Sequence, residues 1–383
     1  MATSAIGPGF ITQTTVFTQQ LLASFGFVIL ISILLDIGAQ LNIWRIISVS
    51  GLRAQDLSNK VLPGAGYGLA GLIVLGGLAF NIGNVAGAGM GINILFNVDA
   101  QPDHPIWGAV ISAAIALVIF WVKEAGKAMD WFAKVLGFVM IGLTLYVAIA
   151  SQPPVGAAVY RSFIPERIDT MAIVTLVGGT VGGYISFAGA HRLLDAGISG
   201  PAQLPQVTRS SVNAILLASV MRVLLFLASL GVVMGGFALD KNNPAGSVFQ
   251  QVAGNLGYKI FGIVLWSAAI TSVVGSAYTS VSFLRTLHPY FDRYYRMVTT
   301  VFIVLSTAIF GWVGQPVKVL IVAGALNGLI LPVALTLMLL ALHKPGLTGN
   351  YRHPRWLQAV GWGVVGIMGW MGMRTILLQL SGS

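Results

Sequence analysis

Near the middle of the chain runs Thr175-Leu-Val-Gly-Gly-Thr-Val-Gly-Gly-Tyr-Ile-Ser-Phe-Ala-Gly-Ala-His191. Two glycine pairs, Gly178-Gly179 and Gly182-Gly183, flank Thr180, and Tyr184 follows directly. Each interior glycine costs a helix roughly 1 kcal/mol relative to alanine. Inside an apolar segment such a run predicts a helix interruption, tolerated only where protein or water covers the freed backbone. Free N–H and C=O groups beside the Thr180 and Tyr184 hydroxyls would line a site. The alternative is that the glycines only let helices pack closely. A second such stretch, Gly7-Pro-Gly-Phe-Ile-Thr-Gln-Thr-Thr-Val-Phe-Thr-Gln-Gln20, offers Thr12, Gln13, Thr14 and Thr15. Two interrupted apolar segments, one per half, are the sequence signature of a transporter's substrate site. These two stretches are the candidate substrate site.

A further set could couple transport to a driving ion or select charge. Asp36 lies inside an apolar run, either as a structural partner for an arginine or as a proton relay. Asn81 and Asn84 sit three apart on one helix face, and bridging neighbouring helices is the alternative role. Arg222 stands amid Leu216-Leu-Ala-Ser-Val-Met-Arg-Val-Leu-Leu-Phe-Leu227, where it needs a partner such as Asp36 or Asp195, or acts in charge selection. His191, Arg192 and Asp195 end their segment, and Arg192 with Asp195 is expected to form an interfacial ion pair. Thr271 and Ser272, with Ser267, Ser276 and Thr279, make a polar stripe that either caps backbone carbonyls or offers oxygens to Na⁺. Proton coupling would fall to Asp36, His191 or Asp195.

The elements that must position these groups are membrane spans. Of 383 residues, 56% are hydrophobic and 8% charged, against about 25% charged in a soluble domain. The apolar runs are long enough to cross a bilayer core of about 30 Å, so the chain is expected to be an all-α, polytopic membrane protein. Eleven spans are read, at about 7–24, 26–48, 67–97, 106–122, 132–151, 171–196, 207–237, 257–284, 296–313, 317–342 and 357–380. Gly83, Gly87 and Gly91 recur every four residues in the third, a small-residue packing face. Pro332 is expected to bend the tenth. Lys123 to Asp130 is expected to be a solvated connection and Arg161 to Asp169 an external loop. Fourteen Lys and Arg lie on the side of the second-to-third and fourth-to-fifth span loops, and six on the other. By this bias the N-terminus is cytoplasmic and the C-terminus outside, in a plasma (inner) membrane. No cleavable signal peptide is expected, since Gly7-Pro8-Gly9 interrupts any apolar core. The net charge of +10 belongs to membrane loops rather than to nucleic-acid binding. With no cysteine there is no disulfide, thiolate metal site or catalytic thiol. No metal-ligand spacing of His and acids is present, so no enzyme activity and no cofactor are expected. The expected partners are the lipid bilayer, a small inorganic ion and a coupling H⁺ or Na⁺, with the chain a monomer.

The chain resembles the Nramp family of proton-coupled divalent metal transporters. The resemblance rests on Gly7-Pro8-Gly9 opening the first span, Asn81 through Phe96 in the third, Gly179-Thr180-Val181 in the sixth and Leu331-Pro332-Val333-Ala334-Leu335 in the tenth. It implies a leucine-transporter-type fold in one domain, with inverted repeats at about 7–151 and 171–342, an added helix at about 357–380, and the first and sixth spans broken around a central site. Aligned to that site, Thr12, Gln13, Thr14, Thr15, Gly179, Thr180, Gly182, Gly183 and Tyr184 are the candidate substrate-binding residues. The departures are specific. The family's Asp-Pro-Gly-Asn motif is absent from the first span. Its sixth-span Met, Pro and His read Gly182, Gly183 and Tyr184. Its third-span acids read Asn81 and Asn84, its tenth-span Gln reads Ile330, and its seventh-span Asn reads Arg222. A dehydrated divalent cation needs compensating charge. Helix N-termini attract anions. The leading expectation is therefore a small oxyanion, bicarbonate specifically. The competing one is a hydrated divalent cation, Mg²⁺ or Mn²⁺, which keeps its waters and needs fewer direct ligands. A non-transporting receptor is disfavoured by the paired interruptions.

Overall fold

A computed structural model of the chain describes residues 6–101 and 103–380. Among the described residues the secondary structure is helical throughout. In chain order the helices are α1 (Pro8–Leu21), α2 (Phe25–Ser50), α3 (Ala54–Val61), α4 (Ala65–Phe96), α5 (Ile106–Trp121), α6 (Lys123–Ala150), α7 (Val155–Phe163), α8 (Thr170–Thr180), α9 (Tyr184–Asp195), α10 (Leu204–Met234), α11 (Pro244–Arg285), α12 (Pro289–Arg293), α13 (Tyr295–Val313), α14 (Pro316–Ala341) and α15 (Arg355–Leu380). Leaving aside the short α3, α7 and α12, and counting α8 with α9 as one, they fall on the eleven expected spans.

The termini follow local chemistry. Pro8, Pro244 and Pro316 each open a helix, where a missing N–H is no loss. Asp169 caps α8 by accepting from the Ala172 N–H at 2.9 Å, and Asn243 caps α11 by accepting from Gly246 at 3.0 Å. Gly51 ends α2 in the left-handed conformation at φ +64°.

Several expectations are corrected. The expected break does not fall in the middle of the first span, whose α-helix runs to Leu21 and ends at Leu22, where φ is +50°. Helix α1 runs without interruption through Thr12 to Gln20, because its residues carry no interior glycine or proline beyond Gly9. The stretch expected as a solvated connection at 123–130 is the helical start of α6. The expected external loop is partly α7, with Arg161 paired to Glu166. Asp195 pairs not with Arg192 but with Arg53, at 2.6 Å. Pro332, where a bend is expected, lies inside α14. Helix α11 begins well before its expected start and turns at Gly254, where φ is +64°.

The glycines expected to permit close packing do so. A methyl group at Gly83 would overlap Leu320, one at Gly87 would overlap Pro8, and one at Gly91 would overlap Trp266. The α4 stripe thus lies against α14, α1 and α11. On the far side Gly178 packs on Gly324 and Gly328 of α14. Polar crosslinks then fix the helix register. Gln40 of α2 donates to the Ser211 carbonyl and hydroxyl of α10, each at 3.1 Å, and Arg45 donates to Thr208 at 2.8 Å. The 343–354 connection is clamped to α2 through His353 and Asn42, 2.9 Å apart.

Candidate functional site

The chain breaks where the paired glycines lie. Helix α8 ends at Thr180, α9 starts at Tyr184, and Val181, Gly182 and Gly183 are not helical. Both the Val181 and Gly182 N–H groups donate to the Val177 carbonyl, at 2.9 and 3.0 Å. Gly183 then takes φ +51° and ψ −126°, a conformation only glycine adopts without strain. This turn leaves the Gly178, Gly179 and Thr180 carbonyls, and the Gly183 and Tyr184 N–H groups, without a backbone partner. The Val181 carbonyl is covered by the Ser186 hydroxyl at 2.7 Å. The whole segment is buried.

Helix α1 starts at the same depth. A methyl group on Gly7 would sit 3.2 Å from Ser272 Oγ of α11 and 3.7 Å from Asn84 Oδ1 of α4. The first turn of α1, with its unpaired N–H groups, therefore opens in the bundle interior rather than at the membrane edge. Of the four candidates on α1, one reaches the break. Gln13 donates through Nε2 to the Leu320 carbonyl at 2.9 Å, and its Oε1 lies against Gly179. Thr14 and Thr15 turn their hydroxyls back on the Phe10 and Ile11 carbonyls, at 2.7 and 3.1 Å. Thr12 is buried on the same helix. Thr180 likewise donates to Leu176, at 2.8 Å.

On the other side of the break stands Asn327 of α14. Its Nδ2 donates to the Gly76 and Ala323 carbonyls, both at 2.9 Å, which leaves Oδ1 against Gly183. Asn327, which lies between Gly324 and Gly328, is not among the candidates drawn from the sequence. The signal available was a lone amide at the centre of an apolar, glycine-bearing span.

Tyr184 places its ring edge-on to Phe80, centroids 5.5 Å apart, and its phenol faces Asn84 and Ser276. Ser276 donates to Asn81 Oδ1 at 2.9 Å, and Asn81 Nδ2 donates to Ser306 at 3.0 Å. Asn81 is thus a helix bridge, while Asn84 Nδ2 and Ser272 Oγ have no partner. Thr271 bonds back to Ser267 and Ala268 on its own helix. His191 is drawn out of the site. It packs 5.0 Å from the Phe283 ring, and its Nε2 accepts the Ala54 N–H at 3.2 Å, capping α3. Asp195, paired with Arg53, is also remote from the break. Arg222 lies with its guanidinium carbon 4.2 Å from the Phe10 ring centroid. Asp36 is buried on α2, with its Oδ1 unpaired. Among the described residues no three His, Cys, Asp or Glu side chains group as metal ligands.

The comparisons with known proteins agree with this architecture. The family model for natural resistance-associated macrophage protein-like (Nramp) proteins matches residues 1–378. An uncharacterized membrane protein of Bacillus subtilis, YcsG, is 60% identical over 380 residues, covering 99% of this chain and 93% of its own length. A divalent metal cation transporter, MntH, of Xylella fastidiosa is 23% identical over 315 residues, 76% of this chain and 65% of that one. Among solved structures, the Eremococcus coleocola manganese transporter superposes with a TM-score of 0.74 at 18% identity, covering 100% of this chain and 85% of the other. The fold is of the leucine-transporter type. With a family match along nearly its whole length and apolar helices long enough to span a bilayer, the chain belongs to the Nramp family of multi-pass membrane transporters.

Proposed function

We propose that the chain is a secondary-active transporter carrying a hard divalent cation, Mg²⁺ or Mn²⁺, through the break between α8 and α9. The observation that carries this is a pair of amide oxygens. Gln13 and Asn327 are both 0% exposed, and each has its NH₂ committed to main-chain carbonyls. Their oxygens, Oε1 and Oδ1, have no donor and lie at Gly179 and Gly183, on either end of the break. Leaving a buried acceptor unpaired costs about 1–3 kcal/mol each. A cation passing the break supplies what they lack. The free carbonyls at the α8 C-terminus carry the negative end of a helix dipole and add to the same field. An all-oxygen donor set favours Mg²⁺ or Mn²⁺ over soft metals, and neutral oxygens suit an ion that keeps several waters. The metal transport named for the Xylella and Eremococcus proteins supports this reading.

It replaces the bicarbonate expected from the sequence as the leading reading. That expectation weighed the missing carboxylates, whereas the unpaired groups beside Gly179 and Gly183 are acceptors. One observation keeps the oxyanion as a second reading: Arg222 is 2% exposed, with Nε and Nη2 unpaired. In either reading the repeats at about 7–151 and 171–342 rock around the site, the chain works as a monomer in the plasma membrane, and H⁺ or Na⁺ drives it.

The test is transport by purified chain in proteoliposomes, reading Mn²⁺ and Mg²⁺ influx by fluorophore beside labelled bicarbonate uptake. Saturable metal influx, lost in Gln13→Leu, supports the cation. Bicarbonate uptake with no metal influx overturns it.

A further inference from the structure

Two carboxylates are buried among the described residues, and they are treated differently. Asp99, 6% exposed, accepts the Trp107 N–H on Oδ1 at 2.8 Å and the Gly108 N–H on Oδ2 at 2.9 Å. Asp36, 1% exposed, has Oδ1 without a donor and belongs to no ion pair within 4.0 Å. Arg222 is its mirror, buried and unpaired at Nε and Nη2. Arg222 stands on α10, the helix that packs against the α2 segment carrying Asp36.

The helix register explains why the two charges do not meet. Gln40 lies beside Ser211 and Arg45 beside Thr208 on antiparallel α2 and α10, which sets Asp36 opposite a position near 215. Arg222 is then displaced by roughly two turns, about 10 Å along the axis. Its side chain, laid over Phe10, falls short of the carboxylate. A buried charge with its counter-charge just out of reach is costly, and closing the pair or protonating the acid relieves it. Helix α8 packs directly against α2, so a shift of the break moves the surroundings of Asp36.

We propose that Asp36 carries the coupling proton, with Arg222 as the residue that sets when it is released. When the break is open to one face, the Asp36 carboxylate takes a proton from water on that side and becomes a neutral acid. When α8 and α9 shift against α10, Arg222 draws near, the O–H bond breaks, and the proton leaves to water on the other face. No other bond changes. This rests on the chain being a secondary transporter, and it assigns a coupling residue on α2 where the substrate cradle itself is neutral.

The test uses the 383-residue chain in proteoliposomes, with Mn²⁺ influx and internal pH read together. In wild type an inward proton gradient stimulates Mn²⁺ uptake, and Mn²⁺ brings protons with it. In Asp36→Asn, Mn²⁺ still runs down its own gradient while the accompanying proton flux falls by roughly tenfold or more. Asp36→Glu restores coupling, which a merely structural loss would not allow, and Arg222→Gln moves the pH midpoint of uptake. A second readout needs no substrate: infrared difference spectra across pH contain a carboxylic acid band that D36N lacks. Wild-type proton flux in D36N, or the same acid band in D36N, overturns the proposal. Should wild type move bicarbonate instead and D36N uncouple that flux from protons, the cation reading falls and the role of Asp36 stands.

Discussion

Asn84 is the residue at which the sign of the substrate charge can be read most directly. Its Nδ2 has no acceptor, and its Oδ1 looks toward Gly7 at the start of α1. Asn84→Asp therefore breaks no hydrogen bond and adds one negative charge beside the positive end of a helix. For a cation substrate the expected outcome is a lower KM for Mn²⁺, by about five- to tenfold, equivalent to roughly 1 kcal/mol. For an oxyanion the same variant abolishes uptake. His353 gives a second prediction, away from the membrane spans. Burial, and then the Arg45 charge, lowers its pKa from 6.5 to about 4. Asn42 donates its own NH₂ to Gly38 and Leu357, so His353 Nε2–H donates to Asn42 Oδ1 and Nδ1 accepts from Tyr351. Protonation would turn Nδ1 into a donor and set a charge beside Arg45. Because the folded pKa is the lower one, the unfolded chain binds more protons between pH 6.5 and 4, so stability falls as pH drops through that window. Thermal unfolding of purified protein across this range shows the slope in wild type, and His353→Gln flattens it.

At the scale of the element, the break between α8 and α9 is the feature most exposed to a single methyl group. Gly183 combines φ +51° with a Cα that abuts Asn327 Oδ1. Gly183→Ala therefore meets backbone strain and overlap together, at a cost of about 1–3 kcal/mol. The expected result is a lower Tm and loss of uptake. Gly179 differs: its φ is ordinary, and a methyl group there meets the end of the flexible Gln13 side chain. Gly179→Ala is expected to fold with near-wild-type Tm and still lose uptake, because it displaces Oε1. A comparison of Tm against initial rate for the two variants separates strain from site chemistry. The break was legible in sequence because two glycine pairs flanking Thr180, next to hydroxyls, exceed what close packing alone needs. The continuity of α1 was not. Gly7-Pro8-Gly9 reads equally as a span's outer end or as a helix start deep in the bundle. What decides is that a methyl group at Gly87 would overlap Pro8, a contact 79 positions away in sequence.

At the scale of the whole molecule, the orientation drawn from the Lys and Arg bias has a clean test, because the chain has no cysteine. Lys318, at the start of α14, and Lys344, just past its end, lie on opposite sides of one span. With the N-terminus cytoplasmic, Lys318→Cys in intact cells reacts with a membrane-impermeant maleimide and Lys344→Cys reacts only after permeabilisation. The reverse pattern inverts the topology and the direction of every flux assigned here. Reach across the bundle also explains what sequence alone mispaired. Arg192 and Asp195 are neighbours on one helix, yet Arg53 on the 51–53 connection takes the carboxylate. The pair is partly exposed, so its contribution to stability is small, about 0–1 kcal/mol.

By itself the sequence determined the class, the spans, the position of the α8–α9 break and the family. Each of these follows from local composition: apolar length against bilayer thickness, glycine against helix, and the order of short motifs along the chain. Tertiary structure alone decided which polar groups share the site. It drew Gln13 and Asn327, 314 positions apart, to the two ends of one break, and it turned Thr14 and Thr15 back on their own helix. It sent His191 to cap α3 and left Asp36 and Arg222 buried on packed helices but unpaired. The physical reason is that a hydroxyl or amide in a membrane bundle bonds to whatever carbonyl packing brings within reach. That partner is set by helix register and by glycine contacts between spans, and neither is written in the neighbourhood of the residue itself.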